Sequence, residues 1–370
     1  MKTKAAVLYE VGKPFEIEEL DMNGPGEGEV LIRYLYSGMC HSDAHLMTGD
    51  LPFRAPMVMG HEGAGIIEEV GVGVTRVKVG DSVVCSFIPS CGVCRWCATG
   101  QQAICDWGAT ILEGCLPGGL FALTGPRGQY GAMCMLGTFS QYGVIHQNSA
   151  IKVDDGTALD EAALVGCGVP TGWGSAVNVA AVRPGDTVII YGIGGVGINA
   201  VQGAAMAGAT HVIAVDPLQN KLAMAKRLGA THSVDTAEEA HQIARDLTRG
   251  VGADSAIVTV GVLHEEVVSS AVEAIRKGGT VVLTGMGSLS EKSVHLPGTS
   301  LGLYKKSIRG TVFGDCNPTT DIPMLLGLAR SGQLNLAELI TQRYSLENVN
   351  DGYDDLLAGK NVRGLVVHEH

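Results

Sequence analysis

Thr187–Tyr191 (TVIIY) runs directly into Gly192-Ile193-Gly194-Gly195-Val196-Gly197, and this stretch decides the fold. A short β-branched run without charge reads as a fully buried strand of a parallel sheet. The glycine pattern G-x-G-x-x-G at its end marks the turn into a helix that cradles a pyrophosphate. The first glycine permits the tight turn, the second lets a ligand approach the backbone, and the third lets helix and strand pack closely. Asp216 ends the next apolar strand, 24 positions after Gly192, where a carboxylate binds the adenosine ribose hydroxyls. Pro217, Leu218 and Gln219 follow it with no arginine, which favours NAD over NADP, and Lys221 on the next helix is a second candidate at the ribose. Residues 187–215 hold no Asp, Glu, Lys or Arg, a length that would span a membrane. The bunched glycines cut that stretch into strand, loop and small-residue helix instead.

Outward from this loop the rhythm differs on the two sides. From about residue 170 apolar strands (His211–Val215, Ser255–Val260, Thr280–Thr284) alternate with helical stretches (Val196–Ala207, Gln219–Leu228, Glu266–Arg276). That alternation predicts an α/β, doubly wound parallel sheet. Before residue 150, short strands such as Lys4–Tyr9, Glu29–Ser37, Gly65–Val70 and Ser82–Phe87 are separated by turn signals, predicting a β-rich domain. The tail after 313 returns to mixed structure: a helix near Asp321–Ser331, an amphipathic Val349–Leu357 and a strand Gly364–His368. The expected domains are 1–168 (catalytic), 169–312 (NAD-binding) and 313–370 (returning to the first).

Composition narrows the function. The 370 residues carry 26 Lys and Arg against 38 Asp and Glu, a net charge of −12. Such a chain has no bulk attraction for nucleic acid or anionic lipid. The start, Met1–Glu10, has too short an apolar run for a secretory signal, so a cytoplasmic, reducing location is expected. There, the 10 cysteines point to metal rather than disulfides. The 52 glycines, about twice ordinary usage, ask for unusual backbone.

Cys91, Cys94, Cys97 and Cys105 fall within fifteen residues. Four thiolates at this spacing can close around one structural zinc. An iron–sulfur cluster is the rival, but the ferredoxin run ends in C-x3-C-P, whereas here the last gap is seven residues and Asp106 follows. Three further pieces lie apart: Cys40-His41-Ser42-Asp43-Ala44-His45, Gly60-His61-Glu62-Gly63, and Gly166-Cys167-Gly168. Singly each is unremarkable, since a free cysteine is usually a small hydrophobe.

Together these motifs resemble, almost end to end, the zinc-dependent medium-chain alcohol dehydrogenases. The resemblance implies a GroES-like catalytic domain beside a Rossmann coenzyme domain, with two zinc ions and NAD as cofactors. The two-Cys, one-His catalytic zinc is the known ligand set of this family. On that likeness Cys40, His61 and Cys167 hold catalytic zinc, Glu62 sits behind the metal, and Asp43 orients His61. Ser42 and His45 match the family's proton relay. His41, Thr171 and Arg363 match coenzyme contacts, joining Gly192, Gly194, Gly195, Val196, Gly197, Asp216 and Lys221; Phe87 and Leu51 match positions lining the substrate channel. The implied reaction oxidises primary or secondary alcohols to aldehydes or ketones, with small-molecule substrates and a homo-oligomeric assembly.

Two departures stand out. His41 replaces an arginine that many relatives carry, and Gly108–Gly137 keeps little of the family sequence, leaving Cys115 and Cys134 unassigned alongside Cys85 and Cys316. That segment is expected to border the substrate entrance. The Met39-Cys40-His41-Ser42-Asp43 form and the divergent segment are most similar to actinobacterial nicotinoprotein alcohol dehydrogenases. Those enzymes hold NAD(H) tightly and pass electrons to an external acceptor such as N,N-dimethyl-4-nitrosoaniline. A glutathione-dependent formaldehyde dehydrogenase and a non-catalytic nucleotide-binding relative are the alternatives.

Overall fold

The computed structural model describes residues 1–288 and 294–370. Its strands in chain order are β1 (Lys2–Leu8), β2 (Glu16–Met22), β3 (Glu29–Gly38), β4 (Met57–Val58), β5 (Glu62–Val70), β6 (Ser82–Cys85), β7 (Leu123–Gly125), β8 (Gly128–Ala132), β9 (Tyr142–His146) and β10 (Ala150–Lys152). There follow β11 (Thr187–Tyr191), β12 (His211–Val215), β13 (His232–Val234), β14 (Ala253–Val258), β15 (Ile275–Leu283), β16 (Ser307–Gly310), β17 (Ile340–Ser345) and β18 (Arg363–Val367).

Met1–Cys167 and Asn317–His370 form one unit. Its larger sheet runs β10-β6-β5-β3-β18-β17, with β9 also on β3. The spine is β3, whose Val30, Leu31, Ile32 and Tyr34 are all buried. Its register explains how distant pieces of sequence meet. Gly38 pairs with Glu62 on β5 and with Leu365 on β18. The segments just beyond these pairs, Cys40, His61 and Arg363, are thereby brought to one end of the sheet.

The divergent segment is no loose lobe. β7 and β8 close a barrel in the order β1-β2-β7-β8-β4. The barrel core packs Leu20, Leu116, Leu123, Tyr130 and Met135. Part of the segment therefore builds a barrel wall. The sequence hides this because its glycines carry no strand pattern; at Gly114 an added Cβ would meet the Ala132 backbone at 2.6 Å.

Gly168–Cys316 form the second unit. Its six strands are all parallel, in the order β13-β12-β11-β14-β15-β16. This is the doubly wound dinucleotide-binding order, which reverses between β11 and β14. Every side chain of β11 is buried, as a strand covered on both faces requires. The unit ends at Cys316, where residues 314–316 pack on its first helix, Gly168–Gly174. Asn178 donates to the Gly314 carbonyl at 3.0 Å, and the Cys316 thiol donates to the Pro170 carbonyl at 3.6 Å. The helix expected to reach Arg276 stops at Ala274. Ile275 is already extended and buried on Ala253, and Arg276 turns its guanidinium to Asp254 at 2.6 Å.

Candidate metal and coenzyme sites

Cys40 stands just before the helix His41–Thr48, His61 just before β5, and Cys167 just before the helix Gly168–Gly174. Ligand atoms of Cys40, His61, Glu62 and Cys167 all lie within 4.8 Å of one another, and all four residues are buried. His61 Nε2 is buried with no hydrogen-bond partner among the described residues. A buried imidazole nitrogen without a partner costs about 1–3 kcal/mol. Beside two thiols, that orphan lone pair fits a zinc ion.

Around the ligands sits a set of charges. His61 Nδ1 lies 3.2 Å from Asp43 Oδ2, at an angle short of a hydrogen bond, and Asp43 Oδ1 accepts the Gly60 N–H at 3.0 Å. Arg363 pairs with Glu62 in full burial. Its guanidinium thus has a protein partner, while its Nε has none among the described residues. Cys40 is held well below the ordinary thiol range, first by hydrogen bonding to Cys167 and then by His61 and Arg363, against its burial. Burial pushes Glu62 up to about 7, helped by the charge on Cys40 and opposed by Arg363. Cys167 is pushed the opposite way from Cys40, first by the hydrogen bond between them and then by burial, so one thiolate stands beside one thiol, and a bound dication would favour deprotonation of both. The ring of Phe87 stands edge-on to His61 at 6.1 Å, and the buried Cys134, from the end of the divergent segment, lies close enough to feel the charges of His61 and Asp43.

The second cluster, Cys91, Cys94, Cys97 and Cys105, also gathers its four sulfurs within 4.8 Å. Cys91 and Cys97 are 3.9 Å apart, Cys94 and Cys105 4.0 Å. A tetrahedron of Zn–S bonds near 2.3 Å has an edge of about 3.8 Å, so the spacing fits a closed zinc site. Backbone N–H groups of Cys91, Cys94 and Cys97 donate to sulfurs of Cys105, Cys91 and Cys94 at 3.4, 3.3 and 3.4 Å. Donors from the Cys97 and Asp106 backbone hold Cys94 down to about 6.

In the second unit the glycine loop matches its chemistry. Gly192 has φ +86°, and a Cβ at Gly197 would sit 1.9 Å from the Gly192 carbonyl oxygen. By contrast, a Cβ at Gly194 meets nothing within 4 Å, which leaves the open approach a pyrophosphate needs. Asp216 is buried; its Oδ2 accepts the Ile193 N–H at 2.8 Å and its Oδ1 the Leu218 N–H at 2.9 Å. The carboxylate therefore ties the loop to the turn after β12. Gly195 and Val196 complete that loop, and Val196 stands at the N-terminus of the helix Gly197–Met206. Lys221 is half-buried on the helix Gln219–Arg227. Thr171 lies in the helix Gly168–Gly174, its carbonyl accepting the Ser175 hydroxyl at 2.6 Å.

His41 and Ser42, both partly exposed, open the helix that follows Cys40, with Ser42 Oγ 3.6 Å from Cys40 Sγ. One turn on, His45 is buried rather than superficial, and Asp50 meets its Nδ1 at 2.9 Å. Sequence reasoning passed over Asp50; its spacing from His45, one residue after a glycine, was the available signal. It also missed Tyr353, fully buried between Phe15 and Phe139, whose phenol is raised by burial and by Asp43.

Two family profiles match this chain, the alcohol dehydrogenase GroES-like domain over residues 26–155 and the zinc-binding dehydrogenase over 195–331. The chain belongs to the zinc-dependent medium-chain alcohol dehydrogenase family. Among curated proteins it is 58% identical to the NDMA-dependent alcohol dehydrogenase of Amycolatopsis methanolica, over 100% of this chain and 99% of that one. Among solved structures it is similar to an alcohol dehydrogenase zinc-binding domain protein from Burkholderia ambifaria, with 34% identity and a TM-score of 0.93 over all of both chains. Benzyl alcohol dehydrogenase from Acinetobacter calcoaceticus gives 30% identity and the same TM-score, again over both whole chains. The chain is an enzyme, an NAD- and zinc-dependent alcohol dehydrogenase.

Proposed function

We propose that Cys40, His61 and Cys167 hold the catalytic zinc, that Cys91, Cys94, Cys97 and Cys105 hold a structural one, and that NAD(H) stays on the protein through turnover. The observation that carries the catalytic assignment is the buried gathering of two thiols and an imidazole whose Nε2 has no other partner. When bound, zinc supplies the charge that makes an alcohol O–H acidic, and NAD supplies the hydride acceptor. The protein's own groups do the rest. Glu62 and Arg363 balance charge behind the ligands, and Asp43 orients the His61 ring. Ser42 and His45 carry the alcohol's proton outward. The loop Gly192–Gly197 takes the pyrophosphate and Asp216 the ribose, with His41, Thr171, Lys221 and Arg363 as further coenzyme contacts. In this reading 1–168 and 313–370 serve catalysis and 169–312 the coenzyme.

Likeness to the NDMA-dependent enzyme supports reoxidation in place by an external acceptor. An acidic chain whose cysteines gather at metal-ligand spacing, with no disulfide among the described residues, supports a reducing, cytoplasmic setting, and we assign a homo-oligomeric state. Among the described residues no helix is long and apolar enough to cross a membrane. Mass spectrometry of the native protein tests the whole reading: it should release two zinc ions and one nicotinamide dinucleotide per chain. Alcohols should then be oxidised with N,N-dimethyl-4-nitrosoaniline and without added NAD. Protein free of nucleotide, turning over many equivalents of NAD, would overturn the retained-coenzyme reading.

A further inference from the structure

We propose that Asp50 is a positioning residue that fixes the tautomer of His45, making His45 a one-sided proton acceptor through Nε2. The inference rests on the reading of His45 as the outer member of the proton relay.

The geometry is local and over-determined. The helix His41–Thr48 stops at Gly49, which adopts φ +83°, and an added Cβ there would lie 2.7 Å from Val11. This left-handed turn folds the chain back along its own helix. Leu51 N–H donates to the His45 carbonyl at 3.2 Å, closing the loop. The Thr48 hydroxyl directs its one hydrogen to Asp50 Oδ2 at 2.7 Å, with the Ala44 carbonyl also 3.0 Å from its oxygen. Asp50 Oδ2 is thereby held 2.9 Å from His45 Nδ1. The His45 side chain is 4% exposed and that of Asp50 24%, so the pair runs from interior to surface.

The chemistry follows from which atoms can donate. An ionised carboxylate only accepts, so Nδ1 must carry the hydrogen and Nε2 the lone pair. Hydrogen bonds from His45, and secondly from Thr48, hold Asp50 below the ordinary carboxylate range, so it is ionised at neutral pH. When Nε2 takes a proton, the new N–H bond forms there, the other hydrogen stays on Nδ1 and keeps donating to Asp50, and the charge lies beside the carboxylate. Loss of the Nε2 proton to water returns the ring to its starting tautomer. A buried imidazole without this partner would divide itself between two tautomers, one of them unable to accept at Nε2.

Selective ¹⁵N-histidine labelling of the full enzyme tests the assignment, with the His45 signals identified by their loss in His45→Gln. In the wild type Nδ1 should be the protonated nitrogen; in Asp50→Asn the two nitrogens should shift toward a mixture. Alcohol oxidation supplies the second reading. Asp50→Asn should lower kcat on the order of ten-fold or more with little change in KM, within the range a positioned base contributes. Asp50→Glu should recover most of that loss, and Asp50→Asn added to His45→Gln should cost nothing further. Wild-type kcat and an unchanged tautomer in Asp50→Asn, with His45→Gln impaired, would overturn the proposal and leave the relay standing. Full kcat in His45→Gln would overturn the relay reading and the proposal with it. A Thr48→Val variant, which removes only a support of Asp50, should show the same tautomer shift in weaker form, and no shift there counts against the proposal.

Discussion

The two clusters of candidate metal ligands are built by opposite routes. The four thiols of the lobe come from one stretch of fifteen residues, with Cys91 and Cys94 partly exposed and backbone N–H groups from the same turn on their sulfurs. Cys40, His61 and Cys167 are spread along more than a hundred residues and meet where β3 pairs with β5 and Gly166 packs against Cys85 and Glu62, with every one of them buried. A local cluster can assemble once a short segment closes around an ion, so the metal itself organises the loop. A non-local cluster is organised by the sheet, and the metal arrives at a preformed place. The lobe should therefore need its metal for shape, and the deep site should need its metal for chemistry.

Substituting the deep site tests that division most strongly. Cys40→Ser should remove several kcal/mol of barrier lowering, on the order of a thousand-fold in turnover, while circular dichroism stays native. Turnover near wild type would break the comparison. Next in size, Arg363→Leu strands Glu62 as a buried carboxylate, a loss of about 3–5 kcal/mol in unfolding free energy. Denaturant titration should report it, with lobe zinc retained on native mass spectra. Cys97→Ser should act on the other side, lowering Tm by roughly 5–10 °C as a few kcal/mol of metal-coupled folding are lost. Activity measured well below that Tm should remain; a Tm equal to wild type would leave the lobe without a structural zinc.

The last effect concerns pH and vanishes as an observable near neutrality. His368, on the strand edge beside Ser37, is pushed down to about 3, chiefly by burial and secondly by His370. Its folded value lies below the unfolded one near 6.5, so the unfolded chain binds the extra proton between them. This contribution is whole above 6.5 and is lost as pH falls toward 3, at no more than about 1.4 kcal/mol per pH unit. His368→Gln should flatten that part of the acid limb in unfolding titrations, and an unaltered slope would exclude His368 as its source.

How much could be read beforehand follows the same division. The parallel sheet and its glycine loop were legible because β11 is a continuous apolar run and the glycine spacing is tied to the backbone geometry it must adopt. The lobe was legible because its spacing is its geometry. The deep triad became visible only through resemblance, since nothing in Cys40, His61 or Cys167 alone announces that they converge. The barrel formed by β7 and β8 was not legible, because its glycines mask strand alternation. Asp50 and Tyr353 escaped because their roles depend on a turn and on ring packing, not on a motif.

The pairing of Arg363 with Glu62 also sets an order in time. During synthesis the thiols of Cys91–Cys105 are complete long before Arg363 exists, since the whole unit Gly168–Cys316 is made between Cys167 and β18. At about 5–20 residues per second, that delay is roughly ten seconds to a minute. A nascent chain can therefore load the lobe while Glu62 still lacks its counter-ion and β3 its neighbour. The buried Arg363–Glu62 pair can form only when β18 slots in beside β3, so this end of the sheet is the last to be completed.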